Sequence, residues 1–401
     1  MTSSGQGRRP RPVPPWSVLV ALVFAVVMLG TTLPTPLYGL YRAQIGFSEF
    51  VVTVVYAVYA CGVIAALLIA GSFSDVLGRR PVLLVGVGFA MLSAGCFLAA
   101  HALPLLFVGR VFSGFSAGLF SGAATAAVTE LAAPAQRGRA TLMATVANMG
   151  GLGCGPLLAG LLGEYAPYPL RLTYVVHLAL LAVSAVVLAA APETVPRKVP
   201  RPPLRVQGMV VPAQVRTAFT PAAVAVFAGF SVLGLFTAVA PAFLSRYLGV
   251  DNIAASGAVV MSAFLASLVG QFLMGRFGVA RSLVLGCLVL MAGLVLIGTS
   301  LLTKELGLLV AGALVSGTGQ GLSFRSSVAT VSRVAPEEQR AATLSALFVA
   351  GYVGLSIPVV GIGAVAQGPG LRAAGLLFVA CVIALAAAVS AYLLRRPLAV
   401  P

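Results

Sequence analysis

The chain has 401 residues, 60% of them hydrophobic and only 8% charged. Soluble domains carry about 25% charged residues, so this composition excludes a water-soluble globular protein. The 25 basic against 9 acidic residues give a net charge of +16; with no basic stretch interleaved with aromatics on a soluble module, that excess reads as loop bias in a membrane protein rather than a nucleic-acid surface.

In chain order, residues 1–16 form a Pro-, Gly- and Arg-rich tail, expected to be disordered. Apolar runs of about 20 residues read as membrane spans. The first is Ser17–Leu37, too long for a signal peptide and without a small-residue cleavage site. Phe50–Ser72, Val82–Ala100, Pro104–Thr129, Thr141–Leu162 and Leu170–Ala191 follow as spans 2 to 6. Spans 7 to 12 are Pro221–Leu244, Ile253–Met274, Ser282–Leu302, Leu306–Val331, Ala341–Val365 and Leu371–Leu394. The expected fold is an all-α membrane protein of twelve transmembrane helices in two six-helix bundles, residues 17–191 and 221–394. Between them, 192–220 is Pro-rich and basic, a cytoplasmic linker or, as the sharper reading, a docking site for anionic lipid headgroups. Residues 395–401 are a second short tail.

Basic residues set the expected orientation. With the N-terminus inside, eighteen fall on inner segments, from Arg8 to Arg396. Only Arg42, Arg171, Arg246, Lys304 and Arg372 fall outside. That asymmetry predicts a multi-pass protein of the cell membrane with both termini cytoplasmic. Cys61, Cys96, Cys154, Cys287 and Cys381 all lie in apolar runs and read as small buried hydrophobes.

The halves echo each other. Pro134 to Thr141 after span 4 corresponds to Pro336 to Thr343 after span 10, at an offset of 202. The same offset carries Pro156 in span 5 onto Pro358 in span 11, and Leu170-Arg171 meets Leu371-Arg372 at 201. A repeat of this kind suggests alternating access around a central cavity.

Between spans 2 and 3, Gly71, Asp75, Gly78, Arg79 and Arg80 stand in the pattern G-x-L-x-D-R-x-G-R-K/R, with Phe73 and Val76 departing from it. Span 4 carries Arg110, Gly114 and Gly118, at the spacing R-x-x-x-G-x-x-x-G. Span 5 carries Gly151, Gly155, Pro156 and Gly160, close to G-x-x-x-G-P-x-x-G-G with Ala159 replacing one glycine. Glu130, Pro134, Arg137 and Gly138 resemble an E-x-x-P-x-x-R-G element, with one extra residue between the acid and the proline. Taken together, these motifs resemble the major facilitator superfamily.

The resemblance implies a secondary transporter and not an enzyme. Asp75 with Arg79 or Arg80 would latch the two halves in the outward-facing state, and Glu130 and Arg137 would join that charge network. Arg110 would be tied to proton coupling; an arginine in a span is otherwise explained by snorkelling to the headgroups. The span 5 motif marks exporters and antiporters, though small residues and a proline kink also serve packing alone. The implied activity is efflux of a small amphipathic drug or metabolite, in exchange for protons, by a monomer. The alternative is a proton-coupled nutrient importer of the same superfamily.

None of the nine acidic residues lies mid-span, and span 1 offers Thr31, Thr32, Thr35 and Tyr38 where many drug–proton antiporters carry an acid. His177 in span 6 reads either as a proton relay or as a packing histidine. With Arg325 as the second intramembrane charge, the expected cavity wall is Thr31, Tyr56, Tyr59, Asn148, Phe230, Gln320, Arg325 and Tyr352. No phosphate loop, zinc-ligand pair or nucleophile–histidine set occurs, so no cofactor or metal is expected.

Overall fold

The structure is a computed structural model and describes residues 15–70, 73–195 and 208–396. The expected N-terminal tail up to residue 14, Gly71 and the middle of the linker lie outside the described residues. Twelve of the described helices are long and apolar enough to cross a membrane. Spans 1 to 6 are Pro15–Thr32, Glu49–Ile69, Arg79–Leu98, Leu103–Glu130, Pro134–Tyr165 and Pro169–Ala190. Spans 7 to 12 are Ala213–Arg246, Ile253–Phe277, Val279–Thr303, Leu306–Val334, Glu337–Val365 and Leu371–Arg395. Helices are the open-ended solution in hydrocarbon, because each peptide group finds its partner within the same segment. Twelve crossings return the chain to its starting side. The side holding Pro15 and Arg395 is here the near face, and the opposite side the far face.

Within each bundle, helices meet through glycine. A methyl group at Gly62 of span 2 would sit 2.5 Å from the Val111 carbonyl oxygen and 3.0 Å from Gly114 Cα. One at Gly118 would press on Ala66 and Val63. Span 4 therefore rests backbone to backbone on span 2, which places Arg110 deep in the first bundle. The two bundles meet along two helix pairs, span 2 on span 11 and span 5 on span 8.

The repeat is physical as well as sequential. Pro156 has no N–H, so the Leu152 carbonyl four residues back loses its helical partner; the Thr32 hydroxyl of span 1 donates to it at 2.8 Å. In the second bundle Pro358 orphans the Gly354 carbonyl, and Ser231 of span 7 donates to that oxygen at 3.0 Å. Gly78 and Gly278, opening spans 3 and 9, both hold positive φ, 106° and 76°. Short 3₁₀ turns, Pro134–Gln136 and Glu337–Gln339, open spans 5 and 11.

Two expectations are corrected. Span 1 ends at Thr32 rather than Leu37: Pro34 and Pro36 remove two donors, so residues 33–37 fold as turns before a helix resumes at Tyr38–Ile45. Of the five cysteines only Cys287 is buried; Cys61, Cys154 and Cys381 are exposed and Cys96 is intermediate. An apolar run says which residues lie in the membrane but not which of them face the protein.

The proline–hydroxyl pairing makes a direct prediction. Thr32→Val leaves the Leu152 carbonyl without its donor, at a cost of about 1–3 kcal/mol. The purified variant should melt several degrees below the parent in a thermal-shift assay, and Thr32→Ser should melt with the parent.

Candidate functional site

At the near face, the loop between spans 2 and 3 closes on itself. Asp75 lies in the short helix Phe73–Leu77, and Gly78 turns the chain through a positive φ into span 3. Arg79 is the hub. Its guanidinium lies 2.5 Å from Asp75 and 2.9 Å from Glu130, and it donates to Ser74 Oγ at 2.7 Å. Glu130 accepts further from Thr194 at 2.5 Å, and Arg137 adds its positive charge nearby. Glu193, which sequence reasoning passed over, caps span 3: its carboxylate accepts from the backbone N–H of Arg79 and of Arg80, at 2.8 and 3.1 Å. A side chain at position 78 would collide with that carboxylate. These contacts join the loop before span 3 and the end of span 4 to the start of the linker at Glu193 and Thr194.

Seven residues in from the far end of span 4, Arg110 is fully buried. It does not snorkel; Nη1 donates to the Thr31 carbonyl at 2.6 Å and Nε donates to the Tyr38 hydroxyl. Its guanidinium carbon lies 5.2 to 6.0 Å from the ring centroids of Tyr38, Tyr56, Tyr59 and Phe97. Burying an unpaired charge costs several kcal/mol. Hydrogen bonds to a charged donor and aromatic faces offset part of that, but Nη2 is left without a partner. His177 is buried one layer away, with Nε2 3.2 Å from the Val26 carbonyl and its ring against Gly30. It shares a small void with Thr31, Ser116 and Tyr174.

The seam between bundles carries most of the expected wall residues. Tyr59 meets Tyr352 edge-on, Phe230 meets Tyr352, and Phe230 continues to Phe324. The Thr237 and Tyr56 hydroxyls are bonded at 2.5 Å. Ser267 donates to Gln320 at 2.5 Å and lies 3.9 Å from the Met149 sulfur across the seam. Thr31 donates to its own helix, at the Met28 carbonyl, beneath Arg110. Asn148 and Arg325 are half-buried in spans 5 and 10, outside this cluster.

Towards the far face the bundles are tied by charge. Glu49 of span 2 holds Arg42 at 2.7 Å and, across the seam, Arg246 of span 7 at 2.8 Å. Glu164 at the end of span 5 accepts from the Ile253 N–H at the start of span 8, at 2.8 Å, beside an Asn252–Tyr165 bond. Beneath Glu49 lies a cavity of about 300 Å³ walled by the turns and short helix that follow span 1 and by spans 2, 7, 8, 11 and 12. None of the eight expected wall residues lines it; Thr35, Thr53 and Ser256 do. That this cavity went unforeseen has a plain cause. These helices are apolar nearly all round, so residue type does not reveal the inward face.

The chain belongs to the major facilitator superfamily, whose family model matches residues 20–358. It is therefore a membrane transporter. Among curated proteins it is 35% identical over 98 residues to multidrug resistance protein MdtL of Klebsiella pneumoniae, covering 24% of this chain and 25% of that protein. It is 32% identical over 152 residues to puromycin resistance protein pur8 of Streptomyces alboniger, 37% of this chain and 29% of the relative. The class D tetracycline resistance protein of Salmonella ordonez matches at 30% over 115 residues, 29% of each chain. The aligned stretches thus span under a third of these relatives' length. Among solved structures, a bacterial homologue of the human lysosomal transporter Spinster, inward-facing and unoccupied, superposes with a TM-score of 0.74 at 16% identity, over 95% of this chain and 98% of that one. A peptide transporter POT in complex with sulfate gives 0.77 at 15% identity, over 95% and 94%. At such identities the likeness shows the fold.

The far-face ties predict a measurable bias. Partly exposed ion pairs contribute about 0.2–1 kcal/mol, so Glu49→Gln should raise the far-open population by up to about fivefold. In a cysteine-free background carrying Thr53→Cys, a membrane-impermeant thiol reagent should label the Glu49→Gln variant faster; equal rates would remove the pair from gating.

Proposed function

We propose that this transporter exports a small amphipathic drug or metabolite across the cell membrane, by alternating access and in exchange for protons. The near face is then cytoplasmic, in keeping with its excess of basic residues. One observation carries the reading, the double-sided bareness of span 5. Gly151 and Gly155 sit against the span 1 backbone at Ala25 and Leu29. Gly153 and Gly160 sit against span 8, at Phe264 and at Ile253. Gly257 of span 8 returns the contact onto the Pro156 carbonyl. The exporter-type motif thus lies where one bundle must move on the other, and the drug-resistance relatives support the same direction.

In this reading Arg110 works from its fixed place on the Thr31 carbonyl and the Tyr38 ring. With no acid in the middle of any span, it and the buried His177 beside Thr31 form the coupling pair. The Asp75–Arg79–Glu130 cluster at the cytoplasmic face is the gate, with Asp75 released from the second bundle while the far face is tied shut. Substrate passes the aromatic seam of Tyr59, Phe230 and Tyr352, whose uncharged rings suit an apolar body.

Proteoliposomes with an imposed proton gradient test this. Compounds should accumulate on the side corresponding to the far face, and Arg110→Met should abolish that accumulation. His177→Gln should uncouple it from the gradient while sparing substrate exchange. Asp75→Asn should slow turnover at least tenfold with binding intact. Gradient-driven accumulation of a nutrient towards the near face would overturn export.

A further inference from the structure

The cavity beneath Glu49 is built by two breaks in regular helix, one from each bundle. In span 1 the prolines unwind residues 33–37. In span 7 a π-helical turn occupies Leu235–Val239, where the Ala240 N–H reaches the Leu235 carbonyl five residues back. The repeat offset of 202 carries residues 33–37 onto 235–239, so the two irregular segments are counterparts. Thr35, Pro36, Ala238 and Val239 of these segments line the cavity. Irregular backbone at membrane depth persists where it is buried in protein or lines a cavity, and π turns inside helices are frequent at functional sites.

We propose that this cavity is a binding site for an uncharged amphipathic molecule bearing hydroxyl or amide groups. It is the station from which the exported compound leaves, and that last role rests on the export reading above. Two hydroxyls on its wall, Thr35 of the first bundle and Ser256 of the second, are 1% and 5% exposed, and their oxygens have no hydrogen-bond partner. Buried hydroxyls without partners are costly, and a ligand bonded to both regains that loss while bridging the bundles. The rest of the wall is largely apolar, including Val52, Val239 and Ile362.

Charge selects against ions. The acids on the lining are Glu49, which already holds Arg42 and Arg246, and Asp251, which accepts from Ser245 at 2.8 Å. Arg110 lies behind Tyr38, a wall residue whose hydroxyl accepts from it. Its field disfavours an organic cation, while the ring in front denies an anion direct contact. The volume, about 300 Å³, lies at the small end of the usual range for ligand sites. Arg42, Glu49 and Arg246 also line the shallower hollow at the far face. The ion triad is therefore the partition between cavity and exterior.

The test uses the full-length protein in nanodiscs with chloramphenicol as the uncharged probe and its succinate ester as the anionic control. Equilibrium dialysis should show saturable chloramphenicol binding, with the ester much weaker. Thr35→Val keeps side-chain volume and Ser256→Ala adds none, and each removes an unpaired hydroxyl, so both should fold as the parent and bind the probe about fivefold to tenfold more weakly. Unchanged affinity in both variants, an absence of saturable binding, or preference for the ester would overturn the site. Flux in liposomes separates the two readings. Hydroxyl-dependent binding without export would sustain the site and remove the export reading. Export with hydroxyl-independent binding would remove the site alone.

Discussion

In hydrocarbon every peptide N–H and C=O must find its partner inside the chain, and the rest of this architecture follows from how that demand is met at its few exceptions. Pro156 and Pro358 each strand a carbonyl, and a hydroxyl from the neighbouring helix answers each one, Thr32 in the first bundle and Ser231 in the second. The repair fastens span 1 to span 5 and span 7 to span 11. It lets a kinked, glycine-lined helix stand at the seam without loose polar groups. The prolines at 34 and 36 are answered differently, by turns that lead into a second helix and open a wall of the cavity.

Charge is handled by the same economy. At the membrane surfaces, carboxylates meet arginines in clusters, one holding the near-face loop together within its bundle and one tying the two bundles at the far face. Between them stands Arg110, the one fully buried arginine among the described residues, held by a carbonyl, a phenol and aromatic rings. The two bundles differ in this respect. The second-bundle counterpart of the signature loop keeps Gly275, Arg276 and Gly278 but has no acid, so it cannot build an Asp75-type hub. The near-face carboxylate–arginine chemistry, the proposed gate, is thus concentrated in one half although the turn geometry at Gly78 and Gly278 is shared by both.

Much of the fold was legible because its signals are one-dimensional. Span length, loop charge and the 202-residue offset need no knowledge of which way a side chain points. The burial of Arg110 beside Gly114 and Gly118 was half legible: the spacing shows a shared face, but not Tyr38 and Thr31 as partners. The partners of Glu193 and Glu49 could not be read, since each is met through folding, Glu193 more than a hundred residues away at Arg79 and Glu49 across the bundle seam at Arg246. The far-side cavity stayed hidden for a further reason. Its unwound segment reads as an ordinary continuation of an apolar run, and a π turn leaves no residue-type mark at all.

The paired breaks at residues 33–37 and 235–239 also differ in kind. The proline segment has lost two donors for good and cannot heal into helix. The π turn keeps every donor and is a helix holding one surplus residue. One bundle therefore carries a fixed elbow and its twin a slack link, so the capacity to change length lies on one side of a symmetric frame. The two bundles thus share the position of the break and differ in its stiffness.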